Sequence, residues 1–505
     1  MLRTPGLLAL AAATVAGLVL LNAPVSSAAS ARALGSNLFT AYATGADGGE
    51  PSIGWDPARG AAIYGADTKD VRLSWDAAGT MTATDVSAPT SATTLDAITV
   101  TDQRTARTFV SQLAAACSLM SYSDDAGATW NPTSGCGVGA LLDHESVGGG
   151  PFHAGSPVQA VTSYPDAVYY CAQDSYNGQC SVSQDGGLTF NPAVPAYNSP
   201  ANDPADPNTQ FAAEGGACSA LHGHVRVGPD GTAYLPIKGC GGQPTAGNLT
   251  NTEYWGGHPS VSTTQDNGLR WLIHRVDAGN NQDESDPSVA VGRGDKFAGG
   301  RVYLGWEDGT NPTDSTYGTT SAAKIAMSTD DGQSWSAPVD LSTALGIHNV
   351  QFPEVIAGDD DRAAFAFLGT TAIGDDQHNG FVGADGNPAV WHLYVSMTYD
   401  GGQTWTTVDT TPTDPVQRGC VDLQGLSNKT ATDPNICSQR NLLDFNDITV
   451  DSQGRPLVAF ADGCTGSCVT DPTVLSQGAT GTVMRLSSGK GLYAAYDAVL
   501  SAKHR

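Results

Sequence analysis

The chain has 505 residues and a formal net charge of −27, with 15% of its side chains charged and 60 glycines. An acidic, lysine-poor composition excludes nucleic acid, whose phosphates demand a basic footprint, and adhesion to anionic membrane surfaces. A hydrophobic share of 40%, including nine Trp, sixteen Tyr and twelve Phe, excludes a disordered chain, and the length exceeds one ordinary core.

Residues 1–33 read as a secretory signal peptide. Arg3 supplies a positive start, Leu7 to Leu21 is apolar, and Ala-x-Ala patterns follow at Ala29–Ala31 and Ala31–Ala33. The run is too short to span a bilayer, and no later segment reaches the roughly 20 apolar residues a spanning helix needs, so no membrane insertion is expected. Residues 34–505 are predicted to form one secreted domain. Export lets cysteines pair, and the ten fall into five couples close in sequence: Cys117–Cys136, Cys171–Cys180, Cys218–Cys240, Cys420–Cys437 and Cys464–Cys468. Five local disulfides are expected, with a metal site as the alternative for Cys464-x-x-x-Cys468.

One octapeptide recurs, at Ser123–Trp130, Ser183–Phe190, Thr264–Trp271, Ser328–Trp335 and Thr398–Trp405, with a decayed copy at Ser74–Gly79. Its Asp accepts backbone N–H groups in a tight turn, its Gly supplies φ > 0, and its aromatic returns into a strand and buries apolar area. Each copy is therefore a hairpin tip. Between the tips lie paired β-like runs: Pro51–Asp56 with Ala61–Tyr64, Ala97–Thr101 with Thr108–Val110, and His224–Val227 with Thr232–Leu235. Further pairs are Pro287–Val291 with Arg301–Leu304, Pro353–Ile356 with Ala363–Ala366, and Asp447–Val450 with Pro456–Ala459. With the segment from Asp143 there are seven units of about 67 residues. The prediction is an all-β, seven-bladed β-propeller of four-stranded antiparallel blades, with six blades as the alternative. Asn37 to Ala43 are expected to complete the last sheet and close the ring.

The octapeptide resembles the Asp-box, or bacterial neuraminidase repeat, and over the mature chain the sequence is similar to the sialidase-type propeller superfamily. The resemblance implies that the boxes are structural and lie on the face away from an active site. Sialidases carry Phe-Arg-Ile-Pro on an early inner strand, its Arg gripping the substrate carboxylate. Here the corresponding stretch is Gly48-Gly49-Glu50-Pro51-Ser52-Ile53, and Gly49 stands where that Arg would be. Glycine cannot supply a guanidinium fork.

A propeller ligand is expected at one mouth of the channel, lined by inner-strand starts and by the loop after each second strand. The starts offer Glu50, Asp96, Asp143-His144-Glu145, His222, His224, Asp283-Glu284-Ser285-Asp286, His348-Asn349, Gln351, Asp444, Asn446 and Asp447. The loops offer Lys238, Glu307-Asp308, Asp375-Asp376, His378 and Asp462. His222, His224 and Arg226 would share one strand face, where they pair with carboxylates of other blades or serve an acidic or polyhydroxyl ligand. Gly148-Gly149-Gly150-Pro151 would form an inner loop that a ligand could approach closely, or a tight structural turn.

Glycoside hydrolysis needs two carboxylates, and Glu145, Asp286, Glu307 and Asp308 are candidates, with His224 for proton transfer. Asp143, His144, His222, Arg226, Trp255, His348, Gln351, Asn446 and Asp447 are the candidate substrate contacts. No cofactor is expected. Calcium is the one ion the acidic groups could hold, with Asp359-Asp360-Asp361 and Asp385-Gly386-Asn387 as turn candidates. The function expected is a monomeric, secreted glycan-active enzyme, a glycoside hydrolase acting on a carbohydrate or polysaccharide. The alternatives are a lyase using His and Arg, or a non-catalytic propeller that binds a glycan or protein.

Overall fold

The computed structural model describes residues 38–91, 96–114, 117–133, 143–173, 177–198, 218, 221–240, 257–279, 282–309, 320–423, 437 and 439–501. The expected signal peptide, Trp255, the Asp143 side chain and the Cys117–Cys136 pair lie outside the described residues.

Seven antiparallel sheets, each built on four strands, follow one another along the chain, making a seven-bladed β-propeller. The innermost strands are Ser52–Asp56, Ala97–Asp102, Asp143–Pro151, Arg226–Val227, Ser288–Val291, Asn349–Ala357 and Asp447–Val450. Each touches the next around the channel, and the last touches the first.

The ring is closed by the N-terminal strand. Phe39–Asp47 pairs antiparallel with Thr480–Leu486 as the outermost strand of the seventh blade. The sequence predicted this closure, and the strand runs four residues beyond the predicted Ala43.

The five octapeptides occupy one topological position, the turn from third to fourth strand of blades two to six. In the copy at 123–130, the Ser123 hydroxyl donates to Asp125 at 2.8 Å, and the amides of Gly127 and Thr129 donate to Ser123 and Asp125 at 2.8 and 2.7 Å. The pattern repeats at Asp185, Asp266, Asp330 and Asp400. Gly127, Gly187, Gly268, Gly332 and Gly402 all have φ between 80° and 88°, where a Cβ would be strained. In the decayed copy Asp76 accepts the amides of Ala78 and Thr80 at 2.9 and 2.8 Å, so blade one keeps the turn without the full motif. Blade seven has no such turn because its fourth strand arrives from the other end of the chain. The aromatic of the motif is buried at Trp271 and Trp405 and half-buried at Trp130, Phe190 and Trp335.

Four of the expected disulfides are formed: Cys171–Cys180, Cys218–Cys240, Cys420–Cys437 and Cys464–Cys468. The last pairing removes the metal alternative. Disulfides persist in oxidising compartments. No helix among the described residues is long and apolar enough to cross a membrane.

Gly148–Pro151 is not a loop. It belongs to the inner strand of blade three, where a Cβ at Gly148 would lie 2.6 Å from the Val225 carbonyl oxygen and one at Gly150 would lie 2.6 Å from Val227 Cβ. The glycines let blades three and four close on each other.

Candidate functional site

The inner strands begin with local distortions that aim their first side chains. Glu50, His144 and Phe352 adopt φ of 49°, 49° and 56°, and the ladder slips between Asp143 and Ser146 and between Gln351 and Glu354. Bulges of this kind redirect the following residues. Some of the polar starts thereby meet across the channel, and others are turned away from it.

At the centre, blade four reaches across to blade seven. His224 Nδ1 lies 3.7 Å and Arg226 Nη2 3.2 Å from Asp447 Oδ1, and the Ile53 amide donates to Asp447 Oδ2 at 2.8 Å. Burial opposes ionisation of Asp447, yet His224, Arg226 and the Ile53 amide hold it below the usual carboxylate range. Glu354 completes the group, accepting the Ser288 hydroxyl at 2.9 Å, and burial followed by the Asp447 charge push its carboxyl well above that range. One donor atom each of His224, Glu354 and Asp447 lie within 4.8 Å of one another, a set that could hold a cation, although Arg226 already balances Asp447. Beside them His144 Nδ1 meets Asp286 Oδ2 at 2.9 Å.

A second group is almost wholly carboxylate. Glu307 accepts the Ser285 amide at 2.9 Å, and Gln351 links the Ser285 hydroxyl to Asp376 with bonds of 2.6 and 3.1 Å. Burial raises Asp283 to about 6 despite Lys238, and raises Asp376 to about 8. Burial and the neighbouring carboxylates lift Glu284 and Glu307 well above the usual range. Groups raised in the folded state stabilise it fully below their unfolded values, near pH 4, and that stability is lost as pH rises through 6 to 8. The melting temperature should therefore fall from pH 5 to pH 8 by roughly 5 °C or more. A calorimetric pH series showing a rise instead contradicts these burial effects.

Other predicted residues are held apart from the channel. Glu145 is buried between blades two and three, accepting the hydroxyls of Ser111 at 3.0 Å, Tyr170 at 3.1 Å and Ser118, and burial lifts it to about 7. Asp308 forms an ion pair with Lys324 within blade five. His222 leaves the expected shared face: its Nδ1 lies 2.9 Å from the Gly223 carbonyl oxygen, its ring meets Tyr197 edge-on, and burial lowers it to about 4. His348 is half-buried and Asn446 is buried at the starts of their strands. The calcium candidates are taken up by protein groups: Asp360 accepts the amides of Gly294, Lys296 and Phe297, and Asp385 that of Asn387.

Space for a ligand on this face lies beside the channel, between blades seven, one and two. A pocket of about 280 Å³ is lined by Asp47, Gly49, Glu50, Asp67, Arg440 and Asn441, among others. Asp47 and Asp67 are exposed at its edge, while Glu50 is buried. Burial first, then the charges of Asp96 and Asp444, push the Glu50 carboxyl well above its ordinary range. Arg440 grips Asp444 through both terminal nitrogens, at 2.6 and 2.7 Å. Gly49 lines this same pocket, and a Cβ there would stand 2.7 Å from Leu443 Cδ1. Arg440 brings a guanidinium to the pocket lining. Sequence reasoning named Glu50 at the mouth but missed Arg440, Asp47 and Asp67. Arg440 and Asp444 stand four apart with opposite charge just before an inner strand, a signal that was legible.

Fold and site together define an acidic, disulfide-stapled seven-bladed propeller with a polar pocket at the strand-start face. No family model and no curated protein matches the chain. Among solved structures it is similar to YCF48 bound to D1 peptide, with TM-score 0.41 and 12% identity over 90% of this chain and 97% of that one. It is also similar to an α-L-arabinanase of Penicillium chrysogenum complexed with arabinobiose, with TM-score 0.36 and 13% identity over 76% and 90% of the two chains. A third is the Hadza microbial sialidase Hz136, with TM-score 0.37 and 12% identity over 88% and 68%. Similarity at this level carries no information about activity.

Proposed function

We propose that the chain is a secreted, monomeric, glycan-active propeller of the Asp-box type, working as a glycoside hydrolase in the pocket between blades seven, one and two. The observation that carries this reading is Glu50, a buried carboxyl whose ionisation burial, Asp96 and Asp444 oppose, lining a pocket with exposed carboxylates at its edge. Environments that separate two carboxyl groups in this way suit one to donate a proton and the other to act as base or nucleophile. Glu50 gives its proton to the glycosidic oxygen as that bond breaks, and Asp47 or Asp67 supports attack at the anomeric carbon. Arg440, beyond its bonds to Asp444 and the Asp422 carbonyl, keeps donors of its fork for sugar hydroxyls, whereas both amide hydrogens of Asn441 are spent on Gln417 and the Gly478 carbonyl.

A second reading, a glycan-binding propeller without turnover, is favoured by the His224–Arg226–Asp447 ties, which engage these polar groups with one another across the channel. Incubating the secreted protein with a panel of glycosides and polysaccharides, with mass-spectrometric detection of products, separates the two. Turnover that Glu50→Gln abolishes supports the hydrolase. Saturable glycan binding without product supports the binding propeller, and an unsaturated uronate product supports a lyase.

A further inference from the structure

Beyond the His224–Asp447 ties, towards the strand ends, the channel widens into a cavity of about 360 Å³. At about 30 Å³ per water-sized unit, it has room for on the order of a dozen non-hydrogen atoms. Val100, Val225, Val227, Val291, Ile356 and Val450 form an apolar sleeve around it. Its charged lining is Asp102, Arg104, Arg226 and Arg293, so guanidinium groups outnumber carboxylates three to one in a chain whose net charge is −27.

Arg226 stands at the inner end, engaged with Asp447. Arg104 and Arg293 come from the turns after the inner strands of blades two and five, and their side chains are 53% and 52% exposed. Arg104 lies 3.4 Å from Asp166 and Arg293 2.7 Å from Asp359, contacts made through one nitrogen each that leave donors of the five-donor fork for another acceptor. Asp102 is tied by the hydroxyls of Tyr164 and Thr105 at 2.6 and 2.9 Å.

We propose that this cavity binds a small carboxylate with an apolar body, inserted body first, its carboxylate held at the strand-end opening by Arg104 and Arg293. Each buried CH₂ contributes about 0.8 kcal/mol, whereas burying an unpaired carboxylate is costly. The half-exposed guanidinium groups at the opening therefore set the orientation. A bidentate arginine contact suits a planar carboxylate. This site faces the octapeptide turns, opposite the glycan pocket, and is independent of the hydrolase reading.

Octanoate is the probe, with octanol and acetate as its neutral and bodiless counterparts, followed by isothermal calorimetry on the full secreted chain. Octanoate should bind one to one, octanol at least about tenfold more weakly, and acetate not at all. The double variant Arg104→Ala/Arg293→Ala, which takes the guanidinium partners from buried Asp166 and Asp359, should melt lower yet still bind octanol, and lose the preference for octanoate over octanol. Val291→Phe, which narrows the sleeve, should weaken both ligands. No binding of octanoate overturns the proposal, as does binding that both variants leave unchanged, which marks adsorption elsewhere.

Discussion

A chain that begins at Gly48 and so lacks the strand Phe39–Asp47 is expected to lose its cooperative melting transition or to melt more than 20 °C lower (an order-of-magnitude figure). The strand forms six paired positions with Thr480–Leu486. At about 1 kcal/mol net for each backbone hydrogen bond, their loss approaches the roughly 5–15 kcal/mol that stabilises a typical folded protein. The same strand clasps blade one. The Tyr42 hydroxyl donates to the Gly79 carbonyl at 3.0 Å, the Tyr42 and Trp75 rings meet edge-on at 5.6 Å, and the Tyr64 hydroxyl donates to the Asp47 carbonyl at 2.9 Å. Deletion therefore exposes an edge on blade seven and frees the joint between the last and first blades. Circular dichroism melting with size-exclusion chromatography checks this. A monomer melting within a few degrees of the intact chain contradicts ring closure by this strand.

The second large effect is at Asp447. Asp447→Ala should cost about 3–5 kcal/mol, because Arg226 and His224 are left in the channel beside Glu354 without their counter-charge. Asp447→Asn should cost less, since its amide oxygen can still accept the Ile53 amide. Adding Arg226→Ala to Asp447→Ala should restore part of the loss, because the stranded charge goes with it. Urea denaturation midpoints read all three. If Asp447→Ala falls within about 0.5 kcal/mol of the parent, the cross-channel tie has no structural weight.

The fold was largely legible because its signal is repeated. Ser123, Ser183, Thr264, Ser328 and Thr398 each open the same hydrogen-bonded turn, so the register of five blades could be read from one motif. The ring's closure was legible too, since the seventh blade has no third-to-fourth hairpin of its own. The site was less so. His224, Arg226 and Asp447 do meet, but His222 turns away because the register shifts by one residue between its bridge to Ile237 and the Arg226–Tyr234 pair. Glu145 looked like a channel residue until the slip between Asp143 and Ser146 placed it against Ser111 and Tyr170. Glu354 lay unnoticed inside an apolar run, since Phe352 in a left-handed conformation is what brings it to the channel. Such distortions depend on packing between blades far apart in sequence, and a local pattern does not contain them.

The most direct test is product formation by the parent and by Glu50→Gln on the same glycan panel. The account predicts cleavage by the parent and a loss of about a thousandfold or more in the variant, whose amide occupies the carboxyl's place without an acidic proton. Cleavage that Glu50→Gln leaves undiminished, or no cleavage of any substrate by the parent, contradicts it.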